Sequence, residues 1–165
     1  MICDTQKKII RLAIENLHKA LDENRKIAHL TVAPDLQTIG LLEHLESLAT
    51  SMFKSINIDV IFATKQCQEE RLTHGQKLAL YRIAQEQCTN IVKYAKATSV
   101  NIHLSTAGSN IKMVIADNGM GRDPNKKITG IGLGNINNRL SVLGGKCRVI
   151  TSPGGGFTLA VEIPL

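Results

Sequence analysis

Tryptophan is absent from these 165 residues, and with two Tyr and three Phe the aromatics come to only 3%. A core built on aromatic packing is therefore excluded, as is a stacking platform for single-stranded nucleic acid. The interior must be aliphatic. No apolar run approaches the ~18 residues of a membrane-spanning helix. The opening Met1-Ile-Cys-Asp-Thr-Gln-Lys-Lys lacks the apolar region of a signal peptide. Cys3, Cys67, Cys88 and Cys147 lie far apart with no CxxC pair. That spacing fits reduced thiols in a cytosolic protein rather than a disulfide framework or a zinc site. With 43% hydrophobic and 21% charged residues, usage is that of an ordinary globular domain, which removes disordered and collagen-like classes.

Acidic residues are scarce in one part of the chain. Residues 1–60 hold 7 basic and 8 acidic groups, residues 61–97 hold 6 and 3, and residues 98–165 hold 7 and 3; together these give the net +6. The later two-thirds therefore expects an anionic partner, and nucleic acid, nucleotide phosphates and an acidic protein all satisfy that charge.

Apolar spacing predicts a helix from about Asp4 to Leu30, with Ile10, Ala13, Leu17, Leu21 and Ala28 in steps of three, four and seven. Pro34 ends it. A second helix is expected over Leu36–Ile56, and alternation at Ile58, Val60 and Phe62 predicts a strand. A long helix follows from Thr73, a good N-cap, to Ala97. Strands are expected at Ser99–Thr106 and Asn110–Ala116, then a polar, glycine-rich stretch over 117–134. A helix at Asn135–Leu143 and strands at Lys146–Thr151 and Phe157–Ile163 complete the order. Strands adjacent in sequence require hairpins, so the expected fold is α+β, a two-layer sandwich of a mixed sheet with helices on one face. The first helix, with no sheet to cover, is expected to project as an arm.

Four features carry chemistry. In the long helix, Leu80, Ala84, Cys88, Ile91 and Ala95 form an apolar stripe at ~100° per residue. Glu86, Asn90 and Lys93 fall within about 60° of one another on the other side. One helical line thus offers a carboxylate, a carboxamide oxygen and an ammonium, and Mg²⁺ takes few protein oxygens beside phosphate and water. Second, Asp117-Asn-Gly119-Met-Gly121 follows a strand. Asn-Gly there is a hairpin signal, yet the succeeding Arg-Asp-Pro-Asn-Lys-Lys is no returning strand. The alternative places Asp117 as acceptor for a ligand amino group, with Gly119 and Gly121 admitting a flat ring close to backbone. Third, Gly130-Ile-Gly132-Leu-Gly134-Asn135 leads into a helix and can present successive N–H groups to an anion, though neither a Rossmann unit nor a Lys-Ser/Thr phosphate loop surrounds it. The fourth, Pro153-Gly-Gly-Gly-Phe-Thr158, reads most simply as a turn between the last two strands.

Taken in this order, the features resemble the sensor histidine kinases. Glu86/Asn90/Lys93 is similar to their N box, Asp117–Gly121 to the first glycine box, Gly130–Leu140 to the second, and Gly154–Thr158 to the terminal glycine turn. Residues from about 57 to 165 resemble the ATPase domain shared by histidine kinases, gyrase and MutL-type proteins. Residues 24–42 are similar to the end of the second dimerisation helix in the NarX-like subfamily. The resemblance implies two parts: residues 1–33 as the remnant of a dimerisation hairpin and residues 34–165 as the catalytic domain. It implies ATP and Mg²⁺ as cofactors. Asp117, supported by Thr158, would take the adenine amino group. Asn90 would hold Mg²⁺, Lys93 would meet phosphate, and Glu86 would orient or deprotonate the attacking imidazole. Gly130, Gly132 and Gly134, with Asn135, would cradle the phosphates behind a lid over 122–129.

Tyr94 stands where the subfamily often has His, and Arg122 where it often has Phe. A phosphoacceptor box is missing: His18, His29, His44, His74 and His103 are followed by Lys, Leu, Leu, Gly and Leu, never by an acid. The resemblance therefore implies transfer of the ATP γ-phosphoryl group to a histidine upstream of residue 1, then to a response-regulator aspartate. The implied setting is a cytoplasmic homodimer without nucleic acid, attached to a membrane only through upstream segments if at all. A serine kinase of anti-sigma-factor type and a non-catalytic nucleotide-binding module are the alternatives.

Overall fold

A computed structural model describes residues 35, 36, 38–124 and 131–165, and near the start residues 6, 9–14, 16 and 17. The chain separates into two compact units, Met1–Val32 and Ala33–Leu165. In the first, the described residues 9–14, 16 and 17 are helical, and Ile9, Ile10, Leu12, Ile14 and Leu17 are exposed. The remainder of the expected Asp4–Leu30 helix, Leu21 and Ala28 included, lies outside the described residues.

The second unit runs α1 (Leu41–Phe53), β1 (Asp59–Lys65), α2 (His74–Asn90), β2 (Ser99–Ala107), β3 (Asn110–Asp117), α3 (Ile131–Val142), β4 (Lys146–Thr151) and β5 (Phe157–Pro164). The five strands form one sheet in the order β1-β2-β3-β5-β4. β1 and β2 are parallel, joined through α2, and every other pairing is antiparallel. The mixed two-layer α+β sandwich expected from the sequence is the fold observed.

Strand alternation builds the core. Val100, Ile102 and Leu104 of β2, Ile111, Met113 and Ile115 of β3, and Leu159, Val161 and Ile163 of β5 are buried. Their neighbours on the opposite face are more exposed. Against the buried face pack Leu41, Leu45, Leu48 and Phe53 of α1, Leu80, Ala84 and Cys88 of α2, and Ile136 and Leu140 of α3. Among the described residues no helix is long and apolar enough to cross a membrane.

Three helix boundaries differ from expectation. α1 starts at Leu41 after Gly40, not at Leu36, and Glu69, from the 3-10 turn Glu69–Arg71, caps it: Leu42 N donates to Glu69 Oε2 at 2.9 Å. α2 begins at a capping box in which Thr73 and Gln76 exchange hydrogen bonds, as the Thr73 signal predicts. It does not continue regularly to Ala97. Residues Ile91–Ala95 form a π turn, and Lys96 adopts the left-handed region at φ 51°. α3 begins at Ile131 rather than Asn135, so Gly132 and Gly134 are helical. Truncating the core stripe of α2 by Leu80→Ala is expected to cost about 2–5 kcal/mol, measured by denaturant unfolding.

Candidate functional site

β3 ends on a conflict. The strand places Ile111, Met113, Ile115 and then Asp117 on its buried face, so a carboxylate sits where the pattern wants an aliphatic side chain; it is 8% exposed. Gly119 N donates to Asp117 Oδ1 at 2.9 Å. Burial pushes the Asp117 carboxyl above its ordinary range, while the N–H groups of Gly119 and Phe157 pull in the opposite direction.

The turn after Asp117 is tied down on both sides. Asn118 Oδ1 accepts from Thr98 N and Ser99 N, both at 2.9 Å, and Asn118 Nδ2 donates to Thr98 Oγ1 at 2.8 Å. Met120 N donates to Ala95 O at 2.8 Å. From the other side Gly156 N donates to Gly119 O at 3.1 Å, and Arg122 N donates to Thr151 Oγ1 at 3.0 Å. A Cβ on Gly119 would strike the carbonyl of Ala95. One on Gly121, at φ +58°, would strike that of Ser152. Gly121 also borders the cavity described below, whereas Gly119 does not. The glycines expected to admit a flat ligand ring therefore admit the protein's own backbone first.

Glu86 and Asn90, one turn apart on α2, are partly buried and face the start of α3. A Cβ at Gly132 would collide with the Glu86 carboxylate and lie 3.4 Å from Asn90 Nδ2. Lys93 does not complete that line. The wider π turn breaks the 100° step on which the expectation rested, and Lys93 is exposed and outside the cavity. Gly134 and Asn135 are exposed on α3, and a Cβ at Gly134 meets nothing within 4 Å. Gly130 and lid residues 125–129 lie outside the described residues. Thr158 is displaced from its expected role. It pairs with Ala116 on the open face of the sheet, while Phe157 pairs with Asp117 and shares its side. Period-two alternation allows no other outcome.

These elements enclose a cavity of about 380 Å³. Gln87, Asn90, Ile91, Tyr94 and Ala95 form one wall; Asp117, Met120, Gly121 and Arg122 form a second; Gly132, Leu133 and Phe157 complete it. The size suits a small-molecule ligand. Among the described residues no group of three or more His, Cys, Asp or Glu could hold a metal ion. The donor set of Asn90 beside Glu86, both against the first turn of α3, suits Mg²⁺, which retains water and ligand phosphate in its shell.

The family model described as histidine kinase-, DNA gyrase B-, and HSP90-like ATPase matches residues 75–165, more than half of the chain. The chain belongs to this ATPase family. It is 28% identical to the sensor histidine kinase LiaS of Bacillus subtilis over 98% of this chain and 44% of LiaS. It is 29% identical to the signal transduction histidine-protein kinase/phosphatase DegS of Brevibacillus brevis, over 98% of this chain and 42% of DegS. The chain thus spans less than half the length of these curated relatives. Its fold matches the histidine kinase domain from the blue-light activated histidine kinase EL346 of Erythrobacter litoralis, with a TM-score of 0.65 at 15% identity, covering 100% of this chain and 87% of that one.

Within this ATPase domain, sequence reasoning missed Asn118, Phe157 and Gln87. Asn118 was visible only as half of an Asn-Gly turn signal. Phe157 was hidden by a one-residue ambiguity of strand phase, and Gln87 by the charged residues beside it. Asn118→Ala removes the acceptor shared by two backbone N–H groups and is expected to destabilise the fold by about 1–3 kcal/mol, measured by denaturant unfolding. Asp117 yields a pH test. Its carboxyl in the folded chain titrates above the ordinary 3.8, so its contribution to stability is full below that value and is lost as pH rises through the raised pKa. Asp117→Asn keeps an acceptor for Gly119 N–H but cannot ionise. Thermal melts without nucleotide should show it more stable than wild type at neutral pH, with the gap closing below pH 3.8.

Proposed function

We propose that this chain is the ATP-binding catalytic part of a two-component sensor histidine kinase. One observation carries the reading: a single cavity has the buried Asp117 carboxylate on one wall and Asn90 with Gly132 on others. An acceptor-only carboxylate selects an amino-bearing base, while a carboxamide oxygen and the first-turn N–H groups of a helix suit a metal-bound polyphosphate. The family match and the histidine kinase relatives support it.

In this reading Asp117 accepts from the adenine amino group. Gly121 borders the ligand, and Gly119 holds the turn that aims the carboxylate. Asn90 supplies one oxygen to Mg²⁺, whose chemistry is to neutralise charge on the phosphates. In this reading Gly130, Gly132, Gly134 and Asn135 would cradle the phosphates, and Lys93 would bind their oxygens. Glu86 orients or deprotonates the attacking imidazole. Phosphoryl transfer asks chiefly for positioning and charge neutralisation, and these groups suffice for both.

The acceptor is a histidine outside this chain. His44 holds an edge-on ring contact to Tyr81, with ring centroids 6.1 Å apart, and its Nε2 lies 3.2 Å from Asp35 O. His74 opens α2, and His103 lies in the middle of β2. None of these borders the cavity, and His18 and His29 lie outside the described residues. Residues 1–33 serve as part of a dimerisation hairpin ahead of a catalytic domain over 34–165. The intact kinase works as a cytoplasmic homodimer, or as the cytoplasmic part of a membrane sensor, and passes phosphate to a response-regulator aspartate.

Calorimetric titration with Mg-ATP tests this. Wild type should bind, and Asp117→Asn should bind more weakly by about 1.5–3 kcal/mol, the range for a hydrogen bond to a charged group. Equal affinity in the two, or acid-labile phosphate appearing on this chain incubated alone with ATP, would refute it.

A further inference from the structure

Gln87 is the one buried polar side chain of the cavity wall to which the proposed function gives no role. It is 2% exposed, as fully buried as the aliphatic core around it, yet it borders the cavity. No buried side-chain nitrogen or oxygen among the described residues is both sealed from solvent and unpaired, and no group among those residues hydrogen-bonds the Gln87 carboxamide. Its amide therefore opens onto the cavity itself. A buried carboxamide has two donors and an acceptor to satisfy, and leaving them unmade costs stability. A residue kept there in that state points to a ligand.

Its place on the helix says which part of the ligand. Gln87 and Ile91, four residues apart, form one line of the cavity wall, and each is 2% exposed. Beyond Ile91, at the end of the π turn, Ala95 also lines the cavity, and its carbonyl receives the Met120 N–H next to the turn that carries Asp117. Glu86 and Asn90 form a separate line that faces Gly132. Gln87 thus lies on a different line from the pair that faces Gly132, and its line runs toward the turn that carries Asp117. An ionised Asp117 can only accept, so it takes an amino group but leaves the acceptor nitrogens of a purine ring unserved. A carboxamide N–H serves them.

Resting on the nucleotide-site reading, we infer that Gln87 is a second base-recognition residue, whose carboxamide donates to a ring nitrogen of the purine that Asp117 holds by its amino group. The pair reads an amino donor beside a ring acceptor, the arrangement on the edge of adenine and the reverse of that on guanine.

The test compares wild type with Gln87→Leu by calorimetric titration with Mg-ATP and Mg-ADP, together with thermal melts of the nucleotide-free chain. Leu removes the amide while roughly keeping its bulk, so the free protein should melt at or above the wild-type temperature. Both nucleotides should bind about three- to tenfold more weakly, the range for one neutral hydrogen bond, and by the same factor. Unchanged ATP affinity overturns the inference, as does a loss confined to ATP, which would put the carboxamide at the terminal phosphate. Melting below wild type would show the amide already paired in the free protein and overturns it too. Gln87→Met carries the same readings should Gln87→Leu fail to fold. Wild-type chain that takes up no nucleotide overturns the site reading itself, whereas wild type that binds beside an indifferent Gln87→Leu overturns only the role of Gln87.

Discussion

The site depends on backbone meeting backbone. Between the end of β3 and Arg122 the chain passes so close to Ala95 on one side and to Ser152 on the other that a side chain at Gly119 or Gly121 would collide with a carbonyl. Three structures that are distant in sequence are locked together there: the π turn after α2, the Asp117 turn, and the β4–β5 hairpin. Gly156 closes the arrangement, since at φ +73° its Cβ would strike the carbonyl of Asp117. The rigidity of that junction fixes the carboxylate, and burial is tolerable because two N–H groups, from Gly119 and Phe157, accompany it. A carboxylate aimed this way is costly to the free protein and useful to a ligand that brings a donor. Gln87, a second buried polar side chain, borders the same cavity.

Much of this was legible beforehand. The strands were readable because each buried face repeats every second residue, and β2, β3 and β5 keep that rhythm almost without error. The α2 stripe of Leu80, Ala84, Cys88 and Ile91 was equally plain, as was the Thr73 cap. Glycine spacing after β3 and before α3 marked two stretches that border the cavity, through Gly121 and Gly132. What stayed hidden depended on contacts between distant residues. Glu69 acts on a helix twenty-seven residues earlier, and no local pattern announces that. The π turn changes the angular step within the helix and so removes Lys93 from the line it shared on paper with Glu86 and Asn90. At the last hairpin the types of residue were right and the phase was off by one: Phe157, not Thr158, stands beside Asp117.

The helical line of Glu86 and Asn90 shows how two elements share one surface. Gly132 lies against both side chains, so the start of α3 rests on α2 where a larger residue could not. Glycine is a poor helix former, by about 1 kcal/mol relative to alanine, and α3 carries two in its opening turns. Its first turn is thus intrinsically weak and is held by what it touches. Gly132 and Leu133 at that end of α3 also line the cavity.

The reach of Glu69 across to α1 also decides where the ATPase body ends as a folding unit. The family match begins within α2, at residue 75, yet Leu41, Leu45, Leu48 and Phe53 are wholly or almost wholly shielded from water in the same core as β2 and β3. A piece cut at the family boundary would lose β1 and Glu69 along with α1 and strip the sheet of part of its cover. Homology and autonomy thus draw different borders in this chain, and a fragment able to stand alone must reach back to about Asp35.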